Sequence, residues 1–350
     1  MRILGLALIA AVTWEACTRI QDQVTLGVPA LSLRYEAPAI YAYDARGVHG
    51  IPFAHDGKFR INSIGFRSPE LVPERETILC LGASETFGIA ETDGKEYPRQ
   101  LERRLNEAHP GRYQVVNGAL PGERIEDIEV TLARTLKTTR PKYAILYASP
   151  GSAIWTAEQW DHLHPTPTSK DPPVERWGRF RLLSRLTSKI RAALPEPIQA
   201  WSRKRAVVAA IAAAHEIPAS HLPESNFRAF SDHLERTLAV LAAAHVRTIV
   251  VTHANRFGPD GAVRDAQLET FRAFYPRLTD DGLFDTQRRF NAVLRRAART
   301  RHLPVVDAAR QIAPGSANFS DFFHFTDRGS ARMAQLLADA VREEDVATGG

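Results

Sequence analysis

With 350 residues, 44% apolar and 24% charged, the chain is long enough to bury the core of one large domain with extensions, and too apolar to remain disordered. Its net charge of +5 comes from 38 arginines against only 7 lysines, and no nucleic-acid-binding signature accompanies them, so the bias reads as codon usage rather than a nucleic-acid footprint. Two cysteines cannot make a disulfide framework, and no clustered Cys/His spacing suggests zinc.

Met1-Arg2 leads into Ile3 to Trp14, twelve residues without charge. A basic start and an apolar run describe an export signal or signal-anchor over residues 1–20, with a buried N-terminal helix as the alternative. Twelve helical residues reach about 18 Å against a bilayer core of about 30 Å, which is short for a span. Cys17 follows Trp14-Glu15-Ala16, a poor lipobox. Residues 21–76 form an N-terminal extension without strong helical period, punctuated by Gly47, Gly50, Pro52 and Gly57. Phe59 to Arg67 reads as a hairpin-like lead-in with no chemistry of its own.

From Thr77 the pattern becomes regular. Apolar runs at 77–81, 113–117, 143–148, 246–252 and 303–307 alternate with helical stripes such as Ile125, Ile128, Leu132 and Leu136, or Phe227, Phe230, Leu234, Leu238 and Leu241. This alternation predicts an α/β fold: a three-layer α/β/α sandwich on a five-stranded, parallel, doubly wound sheet, spanning residues 77–345. Thr326 is the expected N-cap of the last helix, and Cys80, inside the first strand, is expected to be a buried free thiol. Residues 152–224 form an insert broken by several prolines. Within it, Arg176 to Arg205 carries nine basic residues and one acidic residue beside an apolar stripe. That composition suits a lid over the site or a helix on an anionic membrane face, and equally a solvated amphipathic helix packed on the domain.

Ile78-Leu79-Cys80-Leu81-Gly82-Ala83-Ser84 reads as a buried strand and a sharp turn, with a serine where the next helix begins. A hydroxyl there projects beyond the carboxyl edge of the sheet beside unpaired backbone N–H groups, a place for a nucleophile, although such a turn also occurs as a plain helix cap. Asp321-Phe322-Phe323-His324, just before the last helix, falls at the same edge. His324 can take the serine proton, and Asp321, three residues earlier, can orient the imidazole.

At these residues the chain resembles the SGNH/GDSL hydrolases, whose fold is flavodoxin-like. Gly82-Ala83-Ser84-Glu85-Thr86-Phe87-Gly88 matches the family's first block, Asp321-Phe322-Phe323-His324 its last, and Val115 to Gly122 looks like its second. The resemblance covers about residues 77–343 outside the insert. It implies Ser84 as nucleophile, His324 as base, Asp321 as its orienter, and the Ser84 and Gly122 N–H groups as oxyanion donors. The N-terminal part is similar to a subgroup with a membrane anchor followed by a segment ending in Gly-Phe-Arg, here Gly65-Phe66-Arg67. Two departures stand out. Ala83 replaces the aspartate of the Gly-Asp-Ser triplet, and the third block lacks its Gly-x-Asn-Asp: after Pro141 the chain offers Ala148-Ser149-Pro150-Gly151-Ser152-Ala153. Gly151 or Ala153 falls at the asparagine position. A replacement donor is open between the Ser149 or Ser152 hydroxyl, the Gly151 N–H, and His253 or Asn255 after the fourth strand, His253 also reading as an ordinary loop histidine.

The resulting expectation is an exported serine esterase acting on an acyl or acetyl ester of a small molecule, lipid or glycan. It would be anchored in the inner membrane facing the periplasm, or secreted, and would need no metal or organic cofactor. The same acyl-enzyme passed to a sugar hydroxyl would make it an O-acyltransferase. A degenerate, non-catalytic binding protein is the alternative that the missing asparagine supports.

Overall fold

The computed structural model describes residues 2–26, 30–31, 39–44, 47–155, 196–214 and 217–347. The parallel sheet is built from β5 (Glu76–Gly82), β6 (Tyr113–Asn117), β7 (Tyr143–Tyr147), β8 (Arg247–Val251) and β9 (Val305–Val306), in the order β6-β5-β7-β8-β9. All four pairings are parallel; Cys80, for example, stands opposite Asn117 on one side and Ile145 on the other. Each of these strands is apolar on consecutive residues because both faces of a parallel sheet are covered. On one face Leu79, Leu81, Leu146 and Val250 pack against α4 (Ile125–Thr139), α7 (Glu224–Ala243) and α9 (Asp280–Thr300). On the other, Ile78, Cys80, Ile145 and Val251 meet Leu101 and Leu105 of α3 (Tyr97–Ala108), and Met333, Leu337 and Val341 of α11 (Asp327–Ala347). The result is a three-layer α/β/α sandwich on a five-stranded parallel sheet.

Cys80 is a buried free thiol and Cys17 an exposed one. Thr326 caps α11: its Oγ1 accepts the Gly329 N–H at 3.2 Å and donates to the Ala317 carbonyl at 2.7 Å. The fifth strand is shorter than its apolar run. Pro304 has no N–H to donate and holds the start of this edge strand out of the ladder, although its carbonyl accepts from Val250.

Ahead of the sheet lie α1 (Arg2–Leu26) and two small hairpins, β1 (Tyr41–Asp44) with β2 (Gly47–Gly50), and β3 (His55–Asp56) with β4 (Phe59–Arg60). Ile40, Val48 and Ile61 of the extension join Phe87 and Leu120, which follow β5 and β6, in a small separate core. The extension is thereby packed against the segment that follows Ser84. Among the described residues no helix is long and apolar enough to cross a membrane. α1 leaves Leu6, Ile9, Val12 and Trp14 exposed.

Residues 151–154 form α5 (Gly151–Ile154), a buried turn of helix continuous with the sheet edge. Residues 156–195, most of the basic stretch read as a lid or a surface helix, lie outside the described residues. α6 (Glu196–Ala214) follows them, and Ala219 then pairs with Leu278, which lies between α8 (Gln267–Phe274) and α9.

Candidate active site

Ser84 is the first residue of α2 (Ser84–Phe87), a single turn of helix directly after β5. The turn depends on Gly82: a Cβ there would sit 2.1 Å from Thr86 Oγ1 and 2.7 Å from the Tyr147 carbonyl oxygen, so only glycine lets the chain bend this tightly. Gly88 ends the helix at φ +88°, returning its N–H to the Ser84 carbonyl at 2.9 Å. Asn117, at the end of β6, donates its side-chain N–H to the Thr86 carbonyl at 3.0 Å and the Phe87 carbonyl at 3.2 Å, tying down the same C-terminal end of α2. Arg67, the arginine of Gly-Phe-Arg, belongs to the lead-in expected to carry no chemistry of its own. It is buried between the rings of Phe59 and Phe87, donates to the carbonyls of Phe87 and, at 2.7 Å, Gly88, and pairs with buried Glu96 at 3.4 Å. It is a clamp on the nucleophile turn.

The structure brings Ser84, His324 and Asp321 together across 240 residues of chain. His324 Nε2 lies 2.8 Å from Ser84 Oγ, and its Nδ1 lies 2.7 Å from Asp321 Oδ2. The other Asp321 oxygen accepts the Phe323 and His324 backbone N–H groups, each at 2.9 Å, so the carboxylate cannot swing away from the ring it orients. Burial works against the Asp321 charge, yet the hydrogen bonds from His324 and the backbone outweigh it and hold the carboxyl below its ordinary range. Burial alone would also lower the His324 pKa. The hydrogen bond to Asp321 and the negative charge of Glu85 reverse that, and the imidazole is raised above its usual value.

Glu85 is the residue that sequence reasoning missed. It is buried beside the nucleophile, with Oε2 3.4 Å from Ser84 Oγ and Oε1 accepting from Ser149 Oγ at 3.2 Å and His253 Nε2 at 3.0 Å. The Ser84 proton prefers the shorter, imidazole-directed bond. Gln287 settles the His253 tautomer: its amide nitrogen donates to the His253 carbonyl at 2.7 Å and faces Nδ1 at 3.0 Å. A flipped amide would oppose two oxygens, so Nδ1 accepts and Nε2–H donates to Glu85. Burial opposes the Glu85 charge, but the hydrogen bond from His253 and the nearness of both imidazoles win, and its pKa is held down at about 2. Glu91, hydrogen-bonded by Ser330 at 2.6 Å, goes the other way: burial pushes it up to about 7.

The candidate oxyanion and substrate residues divide sharply. The backbone N–H groups of Ser84, Gly122 and Gly151 have no hydrogen-bond acceptor among the described residues. The side-chain candidates are already engaged. The Ser152 hydroxyl accepts the Ile125 N–H at 2.9 Å at the start of α4, and it is buried there as a helix cap. Ser149 is spent on Glu85, and His253 is held between Glu85 and Gln287 with its ring stacked on Tyr147. The Asn255 side-chain oxygen accepts the Phe257 N–H at 2.8 Å, a turn of its own loop. Of these four, Ser149 and His253 direct their donors to Glu85, while Ser152 and Asn255 are engaged through an oxygen that accepts a backbone N–H. Among the described residues no group of three or more His, Cys, Asp and Glu side chains is placed to hold a metal.

No family profile and no curated protein matches the chain. Solved structures similar to it include the psychrotrophic esterase EstA from Pseudoalteromonas sp., 11% identical over 77% of this chain and 97% of that one, TM-score 0.43. The lipase/acylhydrolase from Enterococcus faecalis is 14% identical over 77% and 96%, TM-score 0.43. A GDSL-like lipase from Bacteroides thetaiotaomicron VPI-5482 is 10% identical over 78% and 91%, TM-score 0.43. These are distant likenesses, and the functional reading rests on side-chain geometry instead.

Proposed function

We propose that the protein is a serine esterase of the SGNH/GDSL type, hydrolysing an acyl or acetyl ester through Ser84, His324 and Asp321. The observation that carries this is the unbroken chain of hydrogen bonds from Ser84 Oγ through the imidazole to a carboxylate pinned by two backbone N–H groups. Nothing about a structural serine at a helix start requires such an arrangement. Ser84 Oγ attacks the ester carbonyl carbon as its proton passes to His324 Nε2, and the carbonyl π electrons move onto oxygen. The Ser84 and Gly122 N–H groups receive that oxyanion. Collapse expels the alcohol, which takes the proton from His324. Water, deprotonated by the same imidazole, then attacks the acyl carbon, and collapse releases the acid as Ser84 Oγ leaves and takes the proton back from His324. Asp321, and at longer range Glu85, stabilise the imidazolium formed in each half.

Attachment to a membrane through residues 1–20 belongs to the same proposal. It is supported by the basic, apolar start and by the apolar side chains that α1 leaves uncovered. The test of the esterase reading is hydrolysis of p-nitrophenyl acetate and of longer p-nitrophenyl esters by native protein and by Ser84→Ala. Native turnover that Ser84→Ala abolishes is expected, and native turnover unaffected by the substitution rejects the assignment.

A further inference from the structure

We propose that the Tyr275 hydroxyl is a catalytic oxyanion donor, standing in the space where a side chain on residue 151 would lie. The inference deepens the esterase reading of Ser84 and rests on it. A tetrahedral oxyanion is best served by donors fixed in place before the reaction, and the loop after β7 ends in Gly151, which has no side chain to give.

Three observations converge on Tyr275. The residue is only 3% exposed, its hydroxyl has no hydrogen-bond partner among the described residues, and that oxygen is not one of the fully buried unpartnered atoms, so the ring is packed while the hydroxyl stays open to an acceptor. Its location is the second. A Cβ built on Gly151 would lie 3.8 Å from the Tyr275 hydroxyl oxygen and 3.9 Å from Ser149 Oγ. Ser149 in turn donates to Glu85, whose other oxygen is 3.4 Å from Ser84 Oγ. The phenol tip therefore lies beside residue 151, on the same loop as Ser149, whose hydroxyl reaches the carboxylate next to Ser84. The third is rigidity. The Tyr275 ring is wedged against Trp155 at 5.7 Å, Phe271 at 5.6 Å and Phe323 at 6.3 Å between centroids, so the hydroxyl has little freedom to lose. Burial, and then the Glu85 charge, push the phenol pKa upward, so the group stays protonated and donates. Ser149, the other hydroxyl beside residue 151, gives its proton to Glu85. A phenol whose only task was packing would work as well without its oxygen.

The experiment compares native protein, Tyr275→Phe, and the double variant Gly151→Asn with Tyr275→Phe. Each is assayed for steady-state p-nitrophenyl acetate hydrolysis, end-point fluorophosphonate labelling of Ser84, and thermal unfolding. Tyr275→Phe is expected to lower kcat by about 100-fold or more with KM changed little, while Ser84 still labels to completion and the melting temperature stays near native. The double variant should recover part of that loss, because an asparagine Cβ at 151 meets only ordinary contacts and its amide can enter the vacated space. A kcat within a few-fold of native in folded Tyr275→Phe overturns the role of Tyr275 and leaves the esterase reading standing. If Tyr275→Phe proves unfolded, Gly151→Asn alone decides: a large gain in kcat over native means that no donor occupied the space and overturns the proposal, while little gain or a loss supports it. Native protein that neither hydrolyses ester nor labels overturns both.

Discussion

Two carboxylates face His324 from different directions, Asp321 by direct contact and Glu85 through space, and together they set the working pH of the proposed base. Since His324 must be neutral to accept the Ser84 proton, its raised pKa means that kcat/KM should fall as pH drops through a value above the ordinary histidine range of about 6.5. Glu85→Gln removes one negative charge without removing the side chain, so the acid limb of the kcat/KM profile should move to lower pH. An acid limb at the native position would show that Glu85 contributes nothing to the imidazolium. Gly82→Ala is a different kind of test. Its Cβ would meet backbone and a β-branched neighbour that cannot retreat, so a loss of about 1–3 kcal/mol in denaturant-monitored stability is expected, together with displacement of Ser84. Ser84, Asp321 and His324 were legible in the sequence because one short-range pattern, strand–Gly–x–Ser, and one late Asp-x-x-His fall at the same sheet edge. Glu85, Gln287 and Tyr275 were not. Their partners come from β8, its following loop and the loop after β7, and no spacing in the sequence ties those segments to one another.

At the scale of elements, the single turn α2 is held at its C-terminal end from outside. Its last carbonyls accept from Asn117 and from Arg67, which arrives from the N-terminal extension. Arg67→Ala should therefore do more than remove a surface charge: it strips two helix-end hydrogen bonds and leaves Glu96 buried without its cation. Breaking such a buried pair costs about 3–5 kcal/mol, and activity should fall with it. A stability change under about 1 kcal/mol in chemical unfolding would mean that the clamp is ornamental. The lead-in looked silent because an arginine followed by Ser-Pro reads as a solvated loop, and only the fold buries it. The five strands were visible because parallel strands covered on both faces leave unbroken apolar runs, as Ile78 to Leu81 and Ala144 to Leu146 do. Gly151 to Ile154 carry no apolar period of their own, yet they form the buried turn α5. They are buried because Ser152 caps α4 and Asn226 of α7 donates to the Ala153 carbonyl.

For the whole molecule, the sandwich places Ser84, Gly122, Asp321 and His324 on one edge of the sheet, where β5 and β6 and the segment before α11 end, while α1, packed near Thr18 and Asp22, leaves the apolar side chains of its first half uncovered. Full-length protein made in a bacterium should fractionate with membranes, and deletion of residues 1–20 should release it. Full-length protein recovered from the cytosol irrespective of those residues would contradict the proposed attachment. The central claim is that Ser84 is a nucleophile activated by His324, and the most direct measurement is covalent capture of that serine. Native protein treated with a fluorophosphonate probe and digested for mass spectrometry should carry the adduct on Ser84 alone. Ser84→Ala should carry none, and His324→Ala should label far more slowly. Adduct on another residue, or labelling of Ser84 at the same rate without His324, would contradict the account.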